Sequence, residues 1–262
     1  MEATSASNNA VLSGFINLLI IVVALVIIYY SYQFLFGTSS MNGGIIESGK
    51  ITANQGLKTY TNQAKIYEGG EYSVNLWMYI SGWSYLQGQK KHVFELGGTN
   101  FATLLIALGS YKNSLSVRVD AVDASGSSVA LTKTMESQFF APSLDGSLTN
   151  TSSPCDIDEI DLQRWVQVSV VINGNVCDVY MDGKLVRSCV LPSYYRVDPT
   201  GQSVKMVDRG GFDGYVTQVS TYNYAISPTT IYNMYMAGPT PAGMDVWGAF
   251  TYFTSLFQQK QN

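Results

Sequence analysis

The chain has 262 residues and a formal net charge of -4, with 13% charged and 46% hydrophobic residues, 18 Tyr and 24 Gly. A charged fraction near half of the roughly 25% in an average globular protein, combined with so many Tyr and Gly, favours a turn-rich all-β domain. No Lys/Arg cluster exceeds Lys90-Lys91, so the basic footprint of a nucleic-acid binder is missing and no nucleic-acid partner is expected.

Residues 1–10 are a short tail in which Glu2 is the only charge. From residue 3 to residue 46 there is no charged side chain, and Val11 to Phe36 is apolar nearly throughout. At about 1.5 Å rise per residue this run makes roughly 39 Å of helix, enough to cross a hydrocarbon core of about 30 Å with some tilt. It is too long for a cleaved signal peptide and lacks the positive n-region. Residues 11–36 are therefore expected to be a transmembrane helix, with Tyr29, Tyr30, Tyr32 and Phe34 as interfacial aromatics. Neither flank offers Lys or Arg near the membrane, so the positive-inside rule sets no orientation. Residues 37–56 are small, polar and Gly-rich, and read as a flexible linker.

A folded domain over residues 57–240 is expected to follow. Leu57 to Ile80 reads as two strands joined at Glu68-Gly69-Gly70. In the second, Tyr72, Val74, Leu76, Met78 and Ile80 alternate with Ser73, Asn75, Trp77 and Tyr79, so the first set faces a core and the second the opposite side. His92 to Leu96, Ala102 to Leu108 and Leu115 to Asp120 are short strands of a meander, with Gly97-Gly98 and Gly109-Ser110 as turns. His92 is the only histidine. It is expected at the surface, and no triad or zinc-ligand spacing surrounds it. Residues 134–161 are the least regular stretch and end in the acidic run Cys155-Asp156-Ile157-Asp158-Glu159-Ile160-Asp161. Loops with several Asp can ligate calcium, but no calcium-loop motif is present, so no cofactor or metal is assigned. Asn150-Thr151-Ser152 is a lone glycosylation sequon.

Trp165 to Ile172, Val176 to Met181 and Lys184 to Leu191 read as three consecutive antiparallel strands. Gln167 and Ser169 alternate with apolar neighbours in the first, the period of a strand with one buried face. Asn173-Gly174 and Asp182-Gly183 are the turns, the latter a strong two-residue hairpin signal because both positions tolerate positive φ. That turn sets Cys177 opposite Ser188, with Cys177 and Cys189 on opposite sheet faces, whereas a three-residue loop over Asp182 to Lys184 would face Cys177 to Cys189. Cys155, Cys177 and Cys189 are the candidate disulfide cysteines, but an odd count without a dense framework favours free thiols. Tyr215 to Tyr224 is a last strand. Ser227-Pro228 form an N-cap and first helical residue, and Thr230 to Ala237 a short helix stopped at Gly238-Pro239. Residues 241–262 hold an amphipathic helix, with Val246, Phe250, Phe253 and Phe257 at helical spacing. It would pack on the folded domain or lie at the membrane interface.

The Trp165 strand followed by Asp178-Val179-Tyr180 and Asp182-Gly183-Lys184-Leu185-Val186 resembles the laminin-G-like branch of the concanavalin A-like lectin/glucanase superfamily. Phe212-Asp213-Gly214-Tyr215 to Tyr224, then Ala225-Ile226-Ser227-Pro228, resembles the last core strand and following corner of the same family. The resemblance implies an all-β fold, a concanavalin A-like jelly-roll β-sandwich, here with an N-terminal transmembrane helix and a short C-terminal amphipathic helix. Its first and last strands would lie side by side, bringing residue 57 near residue 224. The fold serves lectins, hydrolases, adhesion modules and virion proteins, so it fixes no function. An outer sheet face of this family can hold sugars, which makes Asn75, Trp77 and Tyr79 candidate ligand or partner residues. The alternative is that a loop or the C-terminal segment covers these rings. Glucanases of the family align carboxylates on one strand face; here Asp156 and Asp158 would share a face while Glu159 and Asp161 take the other, so the constellation is broken and no catalytic residue is assigned.

The hairpin also looks like that of membrane-anchored laminin-G-like proteins encoded by large DNA viruses. The resemblance thus implies a single-pass membrane protein with a non-enzymatic structural or interaction role. As a virion protein, a minor capsid or membrane-linking component, it would join the inner membrane to the shell, with the lipid membrane and other structural proteins as partners. A cell-surface, carbohydrate-binding lectin in a host membrane, with glycans as partners, is the alternative, and a glycoside hydrolase the third reading.

Overall fold

The computed structural model describes residues 16–17, 19–28, 43–61, 65–122, 128–129, 131–142 and 155–239. The chain divides into two compact units, Met1–Met41 and Asn42–Asn262. In the first, residues 16–17 and 19–28 are helical, with Leu19, Leu25 and Ile28 exposed. Most of the expected membrane helix, Val11 to Phe36, lies outside the described residues, and among the described residues no helix is long and apolar enough to cross a membrane. The expected helix over 241–262 lies outside them as well.

The second unit carries strands β1 (Gly43–Glu47), β2 (Ile51–Thr52), β3 (Lys58–Tyr60), β4 (Glu71–Ile80), β5 (Lys91–Gly97), β6 (Ala102–Leu108), β7 (Leu115–Val119), β8 (Ala121–Val122), β9 (Ser128–Val129), β10 (Trp165–Asn173), β11 (Val176–Met181), β12 (Lys184–Val190), β13 (Ser203–Met206) and β14 (Gly214–Tyr222). Among the described residues its helices are α1 (Lys133–Phe140) and α2 (Pro228–Ala237). A seven-stranded antiparallel sheet has the order β1-β14-β4-β10-β11-β12, with β2 also pairing with β14; a five-stranded one has the order β3-β13-β5-β6-β7. The two sheets share one core. Leu76, Met78, Val166, Val168, Val170 and Val216 from the first meet Phe94, Leu96, Leu104, Ile106, Val117 and Met206 from the second. These are the alternate residues of each strand, and the β-sandwich follows from their burial between two sheets.

Several expectations are corrected. The stretch read as a linker contributes β1 and β2, because Ile46 and Ile51 reach the core while Gly43 lets β1 lie tight against the backbone of Thr221 and Tyr222. The first and last strands are neighbours, but as β1 and β14; the chain near residue 57 instead leads into β3, on the edge of the other sheet. The turn at Glu68-Gly69-Gly70 forms, with Gly70 N–H donating to the Tyr67 carbonyl at 3.1 Å, yet it joins no hairpin, since β3 pairs with β13. Within the stretch read as irregular lies α1, whose N-cap Thr132 accepts from Met135 N–H at 3.3 Å. The hairpin closes on Asp182-Gly183, both at positive φ, as the sequence suggested. A bulge beyond that turn then adds one residue to β12, so Cys177 lies opposite Cys189 and not Ser188.

Each sheet has a helix on its outer side. α1 packs Phe140 on Ala102, Leu105 and Ala107 of β6. Ion pairs fasten it there: Lys133 bridges Glu95 and Glu136 at 2.7 and 2.9 Å, and Arg209 reaches Glu136 at 2.7 Å. His92, expected at the surface, is fully buried in this layer. Its Nδ1 accepts from Asp208 N–H at 3.2 Å, and its Nε2 lies 3.5 Å from Glu95. The apolar cover supplied by α1, whose Phe140 ring centroid is 5.6 Å from that of His92, is what removes His92 from water.

Candidate ligand-binding face

The outer face of the seven-stranded sheet is built by alternation. Residues 73, 75, 77 and 79 of β4 project away from the core, and the register sets Asn75 opposite Ser169, Trp77 opposite Gln167 and Tyr79 opposite Trp165. Most of this face is covered. Ser73 Oγ donates to the Tyr224 carbonyl at 2.7 Å and accepts from Ile226 N–H at 3.0 Å, which ties down the segment leading into α2. Asn75 Oδ1 accepts from Gln167 Nε2 and Ser169 Oγ, both at 2.8 Å. Gln167 Nε2 also donates to the Ile231 carbonyl of α2 at 3.3 Å. Trp77 stacks on Tyr235 with ring centroids 5.8 Å apart and planes 13° from parallel.

The covering alternative therefore describes Asn75 and Trp77. They are 3% and 4% exposed, and their chemistry is spent on holding α2 to the sheet. Neither offers a surface to a sugar. For the same reason β10 is buried on both faces and not on one. Val171 and Tyr180 supply an outer apolar patch that Ile226 and Ile231 complete.

Tyr79 is different. It stands in a row of rings on three adjacent strands, paired with Trp165 of β10 on one side and Tyr215 of β14 on the other. The ring centroids are 5.6 Å apart for Tyr79–Trp165 and 6.2 Å for Tyr79–Tyr215. All three are half-buried. Thr52 continues the row beyond Tyr215, and Lys50 Nζ lies 4.5 Å from the Tyr215 centroid. Tilted rings side by side with a cation at one end offer stacking area together with a charged hydrogen-bond donor. Trp165 and Tyr215 were each legible as strand starts. Their assembly with Tyr79 needed the pairing of β10 and β14 on either side of β4, which connects segments far apart in the chain.

The acidic run does not form the strand that a facing carboxylate set requires. Ile157 makes only a single bridge with Leu115, and Asp156 is engaged by Val117 N–H at 3.0 Å and by Arg118. Asp158 is 97% exposed, with Arg187 at 3.4 Å, while Asp161 pairs with Arg164. Among the described residues this run does not gather into a group that could hold one ion, as calcium would need. A separate cleft of about 510 Å³ beside β3 is lined by Lys65, Tyr67, Glu68, Val197 and Gln202, among others.

The cysteines depart from expectation. Cys155 and Cys189 form a disulfide with Cα atoms 5.5 Å apart, and Cys177 is the free, buried thiol. Burial, with Asp178 adding to it, pushes the Cys177 thiol up to about 12, which keeps it protonated. The odd count misled because only one of the three cysteines is left without a bonding partner.

No family model matches this chain, and no curated protein matches it. Among solved structures, the receptor-binding domain of botulinum neurotoxin type G is similar over 76% of this chain and 45% of that chain, with a TM-score of 0.45 at 11% identity. The ligand-binding domain of botulinum neurotoxin serotype D, in complex with N-acetylneuraminic acid, is similar over 75% and 42%, with a TM-score of 0.44 at 15% identity. The chain spans less than half the length of these structures, and its β-sandwich rests on its own strand pairing.

Proposed function

We propose that this chain is a membrane-anchored, non-enzymatic interaction module: residues 11–36 fix it in a bilayer, and the concanavalin A-like sandwich presents a binding surface to a structural partner. The observation that carries this reading is the apolar run of residues 11–36, set in a sequence without a charged side chain from residue 3 up to the start of β1 at Gly43. Burying residues 11–36 in hydrocarbon removes their apolar side chains from water without stranding any charge. The resemblance of the hairpin to proteins of large DNA viruses supports the narrower role of a virion protein linking an inner membrane to a shell. Flotation of the full chain with liposomes, protease protection, and proteomics of purified particles test it together. A chain that stays in the aqueous fraction and is absent from particles overturns the proposal.

A second reading, a cell-surface lectin, draws on the row Trp165, Tyr79 and Tyr215 with Lys50 at its end. Its test is a glycan array on the full chain and on Tyr79→Ala. Specific binding that Tyr79→Ala abolishes supports the lectin, and an array without signal removes it.

A further inference from the structure

The three cysteines come from separate parts of the chain, yet their sulfur atoms all lie within 4.8 Å of one another. Cys155 follows the long connection after α1, Cys177 lies in β11 and Cys189 in β12. The bulge in the β11–β12 pair builds the cluster. Without it Cys177 and Cys189 would point to opposite sheet faces; with it they stand opposite each other in the same register. All three are buried, at 1%, 0% and 5% exposure.

A disulfide uses two sulfurs and gives no role to the third. We propose that Cys155, Cys177 and Cys189, once the Cys155–Cys189 bond is reduced, form a three-sulfur site for one soft d10 cation, Cu+ or Zn2+. Thiolate ligands select such ions over harder ones. With metal–sulfur bonds of about 2.3 Å, three ligating sulfurs sit roughly 3.8–4.0 Å apart, inside the spacing the fold already imposes.

A second observation concerns charge. Arg187 lies two residues before Cys189 on the same side of β12, past the bulge, and its Nε is buried without a hydrogen-bond partner. Its guanidinium, which also reaches Asp158 at 3.4 Å, is carried on the same strand face as Cys189 and would offset part of the negative charge that three thiolates leave around a mono- or divalent ion. The steps balance. A dithiol reductant gives two electrons and two protons to the disulfide and leaves as its own disulfide. The cation then displaces the thiol protons to solvent as the metal–sulfur bonds form.

The test uses the full chain in detergent, with its disulfide intact or reduced by dithiothreitol and then freed of reductant without air. Each form is titrated with Cu+ or Zn2+ against a chromogenic chelator. The reduced chain should retain one equivalent and the oxidised chain none, and Cys177→Ser should lose that equivalent after reduction. Cys177 is outside the disulfide, so an unchanged thermal midpoint of the oxidised variant certifies its fold. Should the variant fail to fold, X-ray absorption on the wild-type complex decides, with three sulfur neighbours expected. A reduced chain with three titratable thiols that holds no metal overturns the proposal, as does a Cys177→Ser chain that holds as much as wild type, or a metal bound through oxygen and nitrogen.

Discussion

Replacing Lys91 by Met keeps most of the stem volume and removes a charge from the interior. Lys91 is fully buried; its ammonium donates to the Gly109 carbonyl at 3.3 Å and lies 4.6 Å from the centre of the Trp83 ring. Burial pushes its pKa down from 10.5 to about 8. At about 1.36 kcal/mol per unit, that gap corresponds to roughly 3 kcal/mol of cost for keeping the ammonium charged at neutral pH. The Met variant escapes this cost but gives up the bond to Gly109, worth about 1 kcal/mol, so a net gain of about 1–2 kcal/mol is expected. For a domain of this size that is roughly 3–6 °C in Tm. The sign of the pH dependence follows from the lowered folded value: between about pH 8 and 10.5 the unfolded chain binds more protons at this site, so wild-type stability rises with pH and the advantage of Met shrinks. Thermal unfolding of wild type and variant, each beginning at Asn42, at about pH 7 and about pH 9.5 reads both effects. A variant less stable at neutral pH, or a difference that ignores pH, would refute the reasoning.

Glu95→Gln should cost about 2–4 kcal/mol at neutral pH, since Lys133, Lys205 and His92 all converge on its carboxylate. Burial alone would raise this carboxyl, but the bonds from His92 and Lys133 and the charges of Lys133 and Lys205 hold it well below the usual carboxylate range. The wild-type advantage is present above the unfolded value of about 4.3 and is lost as pH falls below it toward the lower folded value, which urea titrations at descending pH would register. Ile231→Ala, at a fully buried position on the sheet-facing side of α2, should cost about 2–4 kcal/mol and make Trp77 more accessible to acrylamide. An unaltered quenching curve in that variant would mean that α2 does not hold the face closed. Gly183→Val places a branched side chain at a φ of 75° beside Tyr232 and should lower stability by about 1–2 kcal/mol in chemical denaturation; no loss would mean that the turn is not rigid.

Local signals made the strands readable. Trp165 to Asn173, the Asp182-Gly183 turn and the Ser227-Pro228 helix start all depend on neighbours within a few residues, and each lies close to where the pattern put it. What escaped depended on contacts between distant segments. His92 looked exposed because its concealment is the work of Phe140, and β1 looked like linker because Ile46 meets the core only once β1 lies beside β14. Asn75 and Trp77 read as a ligand surface because alternation tells which way a side chain points but not what lies over it. Only Tyr79 of that trio remains partly open, and the rings that give it company were not singled out from the sequence.

The pairing of β1 with β14 bears on how the molecule would carry load. The chain from the apolar N-terminal segment enters β1 at Gly43, opposite Tyr222, whereas the ring row lies toward Tyr215, at the other end of β14. Seven residues at about 3.4 Å each separate those ends by roughly 24 Å along the strand. Tension applied between the chain entering β1 and the ring row would run parallel to the strands, loading the β1–β14 hydrogen bonds together in shear. Bonds loaded that way give way as a set and not one after another, so this seam resists tension better than a hairpin peeled open from its end.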